Sequence, residues 1–173
     1  FRRLWESDEL ARPMLACQIA LARDPLLRLS QDKVLSLVPG QWLPREDMEQ
    51  ALNEQCPDRY SQAMLKSLAQ NVNGTWTNAG FLQGRSKKHR AEPDVRPVNV
   101  VFALFLSYLQ GATGNRLFIS EWTRLLGCRQ ERLLELARQA SYSGMINFKH
   151  SSDVVEVTFP DYLSREEESW LHE

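Results

Sequence analysis

The chain is poor in cysteine and histidine, and it lacks every short motif that marks common catalytic chemistry. Its three cysteines (Cys17, Cys56 and Cys128) are far apart and odd in number, and no two form a C-x-x-C pair. That argues against a disulfide framework and a cysteine zinc site, and makes a reducing cytoplasm the expected compartment. The three histidines (His89, His150 and His172) sit near no carboxylate or cysteine at a metal-ligand spacing. No nucleotide-binding phosphate loop, G-x-G-x-x-G turn, H-E-x-x-H helix or G-x-S-x-G elbow occurs. Glu131 and Glu135 pair at a helical spacing, but on a face that reads as solvated. The expectation is a protein that is not an enzyme, with no catalytic residue, no metal and no cofactor.

Long apolar runs are also missing. The best candidate, 98–109, is broken by Asn99 and Ser107 and falls short of the roughly 20 residues that a membrane-spanning helix needs. It reads as a core helix, and no membrane partner is expected. The chain opens on Phe1 rather than methionine, as a fragment or a processed chain would, and no apolar signal core follows Arg2 and Arg3. No internal repeat of short period and no low-complexity stretch is visible.

What is present suits one compact domain or two small ones: 173 residues, 43% hydrophobic, with five tryptophans. The net charge of −1 hides a sorted distribution. It is −2 over 1–60, +4 over 61–97, +1 over 98–160 and −4 over 161–173. Sorting of this kind is informative where the total is not.

The residues Ala91–Pro97, reading AEPDVRP, hold two prolines among charges and read as an extended linker. They separate an N-terminal module, 1–90, from a second module, 98–160, with an acidic tail at 161–173. In the first module Ser7-Asp8-Glu9 reads as a helix start, though Pro13 weakens it. Asp24-Pro25 restarts a helix, Ser30 caps a further turn, and Pro44-Arg45 opens a helix burying Met48, Ala51 and Leu52. Ser61 caps another, with Met64, Leu65, Leu68 and Val72 on one face and Trp76 extending the stripe. In the second module the core helix precedes a strand-like run, Leu117-Phe118-Ile119, and helices through Leu126 and over 130–142. A hairpin follows, with strands at 146–150 and 154–159. Helix, short strand, helix, helix, hairpin is the order of a winged helix-turn-helix. The first module reads similarly, with helices at 44–55 and 61–79 and a basic loop, 84–90, in the wing position but without strand alternation. The fold class is therefore mainly α: two small helix-turn-helix or winged-helix-like modules with a C-terminal β-hairpin wing.

The strongest functional signal is another absence. From Arg59 to Ala91 there is no aspartate or glutamate, while Arg59, Lys66, Arg85, Lys87, Lys88 and Arg90 are basic. A surface that meets phosphates excludes acids, which would repel them. Lys66, Arg85, Lys87, Lys88 and Arg90 are the candidates for phosphate contact. Gln70, Asn71 and Asn73 are the candidates for groove contact, since amides suit adenine edges. In the second module Arg132 and Lys149 would engage an adjacent stretch of duplex, although Glu131 and Glu135 weaken the field there. Trp76 and Trp122 fall on apolar faces and read as core rather than as stacking platforms, and Trp5 and Trp170 read as packing the termini together. The tail, with Glu166-Glu167-Glu168 before Trp170, suits either a solvated helix end or a segment that docks a partner or covers the basic loop.

In the segments LWESDE (4–9), LARDPLLR (21–28) and LKSLAQNVNGTWTNAGFL (65–82) the chain resembles the BrxA family, small helical proteins of bacterial BREX phage-defence systems. The resemblance implies a non-enzymatic accessory protein that binds double-stranded DNA through helix-turn-helix modules and works with other phage-defence proteins. It assigns no individual residue. The rival is a protein–protein adaptor that uses winged helices as a scaffold, which the near-neutral total charge and acidic tail favour.

Overall fold

The structure is a computed structural model and describes residues 1–55, 57, 59–151 and 154–170, without the Gln55 side chain. Cys56, the hairpin turn at Ser152-Asp153, and His172 lie outside the described residues. The chain forms two compact units, one of Phe1–Ala11 with Val95–Glu173 and one of Arg12–Asp94. The division falls within the proline-bearing 91–97 stretch. The first eleven residues, read from sequence as part of the N-terminal module, belong instead with the C-terminal unit. Helix α1 (Arg2–Ser7) and the turn after it are held there by contacts that include the following. Phe1 packs edge-on to Phe102 with centroids 5.3 Å apart. Asp8 pairs with Arg96 at 2.5 Å, and the Asn99 amide donates to the Ala11 carbonyl at 3.0 Å. Ser7 ends a helix rather than starting one, its hydroxyl donating back to the Leu4 carbonyl.

The 12–94 unit begins with α2 (Arg12–Arg23), which buries Met14, Leu15, Cys17 and Leu21. Asp24 caps α3 (Pro25–Leu29) by accepting from the Leu26 and Leu27 N–H groups, with proline pre-set for the first turn. Ser30 precedes α4 (Gln31–Leu35) without capping it through its side chain. Its hydroxyl donates to the Leu27 carbonyl and accepts from the Trp76 indole at 2.7 Å. That bond matters because a buried indole N–H without a partner is expensive. Next come β1 (Trp42–Leu43), α5 (Arg45–Gln55), α6 (Gln62–Asn78), β2 (Leu82–Gln83) and β3 (Lys88–Arg90). Ser61 caps α6 through the Met64 N–H. The buried face of α6 is Leu65, Ala69, Val72, Asn73 and Trp76. Met64, expected inward, is exposed, and the stripe is rotated toward Ala69. Trp76 lies edge-on to Phe81 at 5.0 Å at the centre of this core.

The three short strands form an antiparallel sheet in the order β1-β3-β2. Trp42 and Gln83 flank His89, one on each side. Strand, helix, helix, then a two-stranded wing whose last strand returns beside the first is winged-helix connectivity. The basic 84–90 loop, which shows no alternation in sequence, is therefore a wing with short strands at its base.

The C-terminal unit continues with α7 (Pro97–Leu109), α8 (Glu121–Leu125), α9 (Gln130–Tyr142), the hairpin β4 (Asn147–Ser151) and β5 (Val154–Thr158), and α10 (Arg165–Trp170). The Leu117-Phe118-Ile119 run is not a strand. It lies in a 3-10 helix, Gly114–Ile119, packed beside β5 where a first strand would pair. The Leu117 carbonyl accepts from the Ser120 and Thr123 hydroxyls, so side chains replace a neighbouring strand as its partners. Gly114 starts this turn at φ +56°, a conformation that side chains disfavour. The tail does not separate cleanly: Tyr162 packs on Phe105 and Phe159. Burial raises the Tyr162 pKa, with nearby Arg3 opposing. Helix α10 has a reciprocal capping box between Ser164 and Glu167. The Ser164 N–H bonded to its carboxylate, and secondarily the Ser164 hydroxyl, hold the Glu167 pKa below its ordinary value. Trp170 is exposed, contrary to the expectation that it packs a terminus. Among the described residues no helix is long and apolar enough to cross a membrane.

Candidate nucleic-acid interface

In the 12–94 unit, α6 and the wing face one another across a cleft of about 530 Å³. Leu43, Arg45, Gln70, Asn73, Gly74, Arg85, Ser86 and Lys88 line it, three cations and no carboxylate. The helical repeat explains one wall. Gln70 and Gly74 lie four apart on the face of α6 turned away from the core residues Leu65, Ala69, Val72 and Trp76. Wing geometry explains the other. Gly84 has φ +102°, and a Cβ there would run into the Lys87 carbonyl oxygen, so the turn closes only on glycine. The Lys88 ammonium donates to the Gly84 carbonyl at 2.7 Å and ties the turn to its base.

Of the residues singled out in sequence, Gln70, Asn73, Arg85 and Lys88 meet at this cleft. Lys66, Asn71 and Lys87 are exposed on the same helix and wing without lining it. Lys66, Arg85 and Lys87 form no ion pair among the described residues. Asn73 is only 5% exposed, and its Oδ1 is buried without a hydrogen-bond partner among the described residues. It forms the polar floor of the cleft rather than a protruding reader.

Arg90 requires a correction. It is 7% exposed, and its guanidinium donates to the carbonyls of Phe81 and Ala91 and lies 5.2 Å from the Phe81 ring centroid. Burial pulls its pKa down, and the charge of Glu92 pulls the other way. Arg90 fastens β3 to the core and does not present its charge on the surface of the wing. The reason is its register: Arg90 pairs with buried Leu82, on the inward side of the sheet.

Arg132 and Lys149 belong to the other unit. Each is held by a glutamate, Arg132 to Glu135 at 2.8 Å and Lys149 to Glu156 at 3.5 Å. Trp76 and Trp122 are buried, as their apolar faces imply, with the Trp122 indole donating to Gln110. Four lining residues, Leu43, Arg45, Gly74 and Ser86, escaped the sequence reading. Arg45 opens α5 and is paired to Glu46 and Glu49. Ser86 sits within the basic wing. Gly74 interrupts an otherwise regular helix, which was the available signal. Among the described residues no cluster of potential metal ligands occurs. No protein-family model, curated protein or solved structure matches this chain.

Proposed function

We propose that this chain is a non-enzymatic protein that binds double-stranded DNA through the winged helix of its 12–94 unit. The observation that carries the reading is the acid-free cleft where Gln70, Arg85 and Lys88 converge, continued by Lys66 on α6 and Lys87 on the wing. Lys66, Arg85, Lys87 and Lys88 neutralise phosphates, and Gln70 and Asn71 present amides to base edges. Arg132 and Lys149 join only where a phosphate displaces the glutamate that holds each of them. The resemblance of 4–9, 21–28 and 65–82 to the BrxA family supports placing this binding in bacterial phage defence, in the cytoplasm, beside other defence proteins.

A second reading, a protein–protein adaptor, is favoured for the C-terminal unit by one observation. Its α9 carries an internally paired surface and ends in Tyr142, which is 89% exposed.

The DNA reading is tested by fluorescence anisotropy with a labelled mixed-sequence duplex. Binding at about 10⁻⁶ M or tighter in low salt is expected. The Lys87→Glu/Lys88→Glu variant weakens it on every sequence, because phosphate contacts carry no sequence information. Absence of binding in low salt overturns the reading, and unchanged affinity in the variant removes the wing from it.

A further inference from the structure

Gly74 occupies an interior position of α6, where glycine is among the least favourable residues because it loses the most backbone freedom. Two ordinary reasons for a helical glycine do not apply here. Its φ is not positive, and nothing lies within 4 Å of the point a Cβ would occupy. Neither backbone geometry nor packing within the protein therefore calls for glycine. What distinguishes Gly74 is its place. It lines the cleft between α6 and the wing, with the Gln70 amide one turn earlier on the same face and Arg85, Ser86 and Lys88 across from it. The cleft, at about 530 Å³, lies in the size range of pockets that hold ligands.

We propose that the cleft seats one sugar–phosphate unit of a bound duplex, and that Gly74 marks the point where the nucleic-acid strand passes closest to α6. The missing side chain lets the strand lie against the helix backbone. Arg85 and Lys88 supply positive charge from the wing side, the Ser86 hydroxyl supplies a neutral donor, and no lining carboxylate opposes them. This inference rests on the DNA-binding reading and adds to it a specific seat, with a residue whose contribution is an absence.

The test substitutes the glycine in the full chain. Gly74→Ala has open space for its methyl group and gains helix propensity, so the thermal midpoint rises by about 2–4 °C. Duplex affinity falls about tenfold, and the dependence of log affinity on log salt becomes shallower by about one as a phosphate contact is lost. Gly74→Leu weakens binding further. If wild-type protein binds duplex and both variants bind equally well, the seat is overturned while DNA binding stands. If wild-type protein does not bind duplex at all, the underlying reading fails and the seat with it.

Discussion

At the scale of single residues, Arg90 and Lys87 carry the same charge three positions apart in opposite settings, Arg90 buried and Lys87 exposed. Arg90 satisfies the carbonyls of Phe81 and Ala91 from inside the 12–94 unit. Arg90→Ala removes one of the two donors to the buried Phe81 carbonyl, which keeps the Ala91 N–H, and removes the cover over the Phe81 ring. A loss of about 1–2 kcal/mol is expected in urea unfolding, with duplex affinity unchanged where the variant remains folded. A fall in affinity without a loss of stability would return Arg90 to the binding surface. Cys17 gives a pH-dependent expectation. Burial pushes its thiol from 9.0 up to about 12. The unfolded thiol ionises first as pH rises, so the stabilisation from keeping Cys17 neutral is complete below pH 9.0 and is lost progressively towards about pH 12. Cys17→Ala is expected to flatten the decline of unfolding free energy over that window, measured by denaturant titration. Parallel declines in the two proteins would contradict it.

At the scale of elements, the wing depends on one turn. Gly84→Ala places a methyl group against the Lys87 carbonyl without altering charge. It is expected to weaken duplex binding about as much as neutralising a wing lysine, while helical circular dichroism stays as in wild type. Unchanged affinity would show that wing geometry is irrelevant and that only its charge matters. The same wing shows where sequence stops being legible. Helices α6, α7 and α9 and the 147–158 hairpin are readable because apolar periods run through them for long enough to be recognised. Strands β1, β2 and β3 span two or three residues each, too few for alternation to register, and their pairing is a tertiary fact. Leu117-Phe118-Ile119 has strand composition, yet hydroxyls from Ser120 and Thr123 take its backbone acceptor. Of the candidate site, Gln70, Arg85 and Lys88 are legible in the sequence, as are the exposed Lys66 and Lys87 near them, because the lack of acids marks a surface wherever it falls. Arg90 was not, because register alone buries it. Asn73 was half legible: it stands four residues after Ala69 and three before Trp76, which places it at the edge of the core-facing stripe.

At the scale of the whole molecule, a near-zero total charge coexists with a segment from 59 to 91 that has no acid. A shared connectivity gives each unit a helix pair followed by a hairpin, but the two surfaces differ in charge pairing. Lys66, Arg85 and Lys87 of one unit are without ion pairs among the described residues, whereas Arg132 and Lys149 of the other are held by glutamates. The proposed phosphate-led binding by the 12–94 unit therefore has a quantitative signature. With Lys66, Arg85, Lys87 and Lys88 each displacing a counterion, log affinity should fall with log salt at a slope of about −3 to −4. The most direct measurement is that slope, taken with the full chain on a mixed-sequence duplex by anisotropy across a salt series. A slope in that range, made shallower by about one on each lysine-to-alanine substitution at Lys66 or Lys87, is the expected result. A flat slope, or no binding at low salt, would contradict DNA binding by this surface.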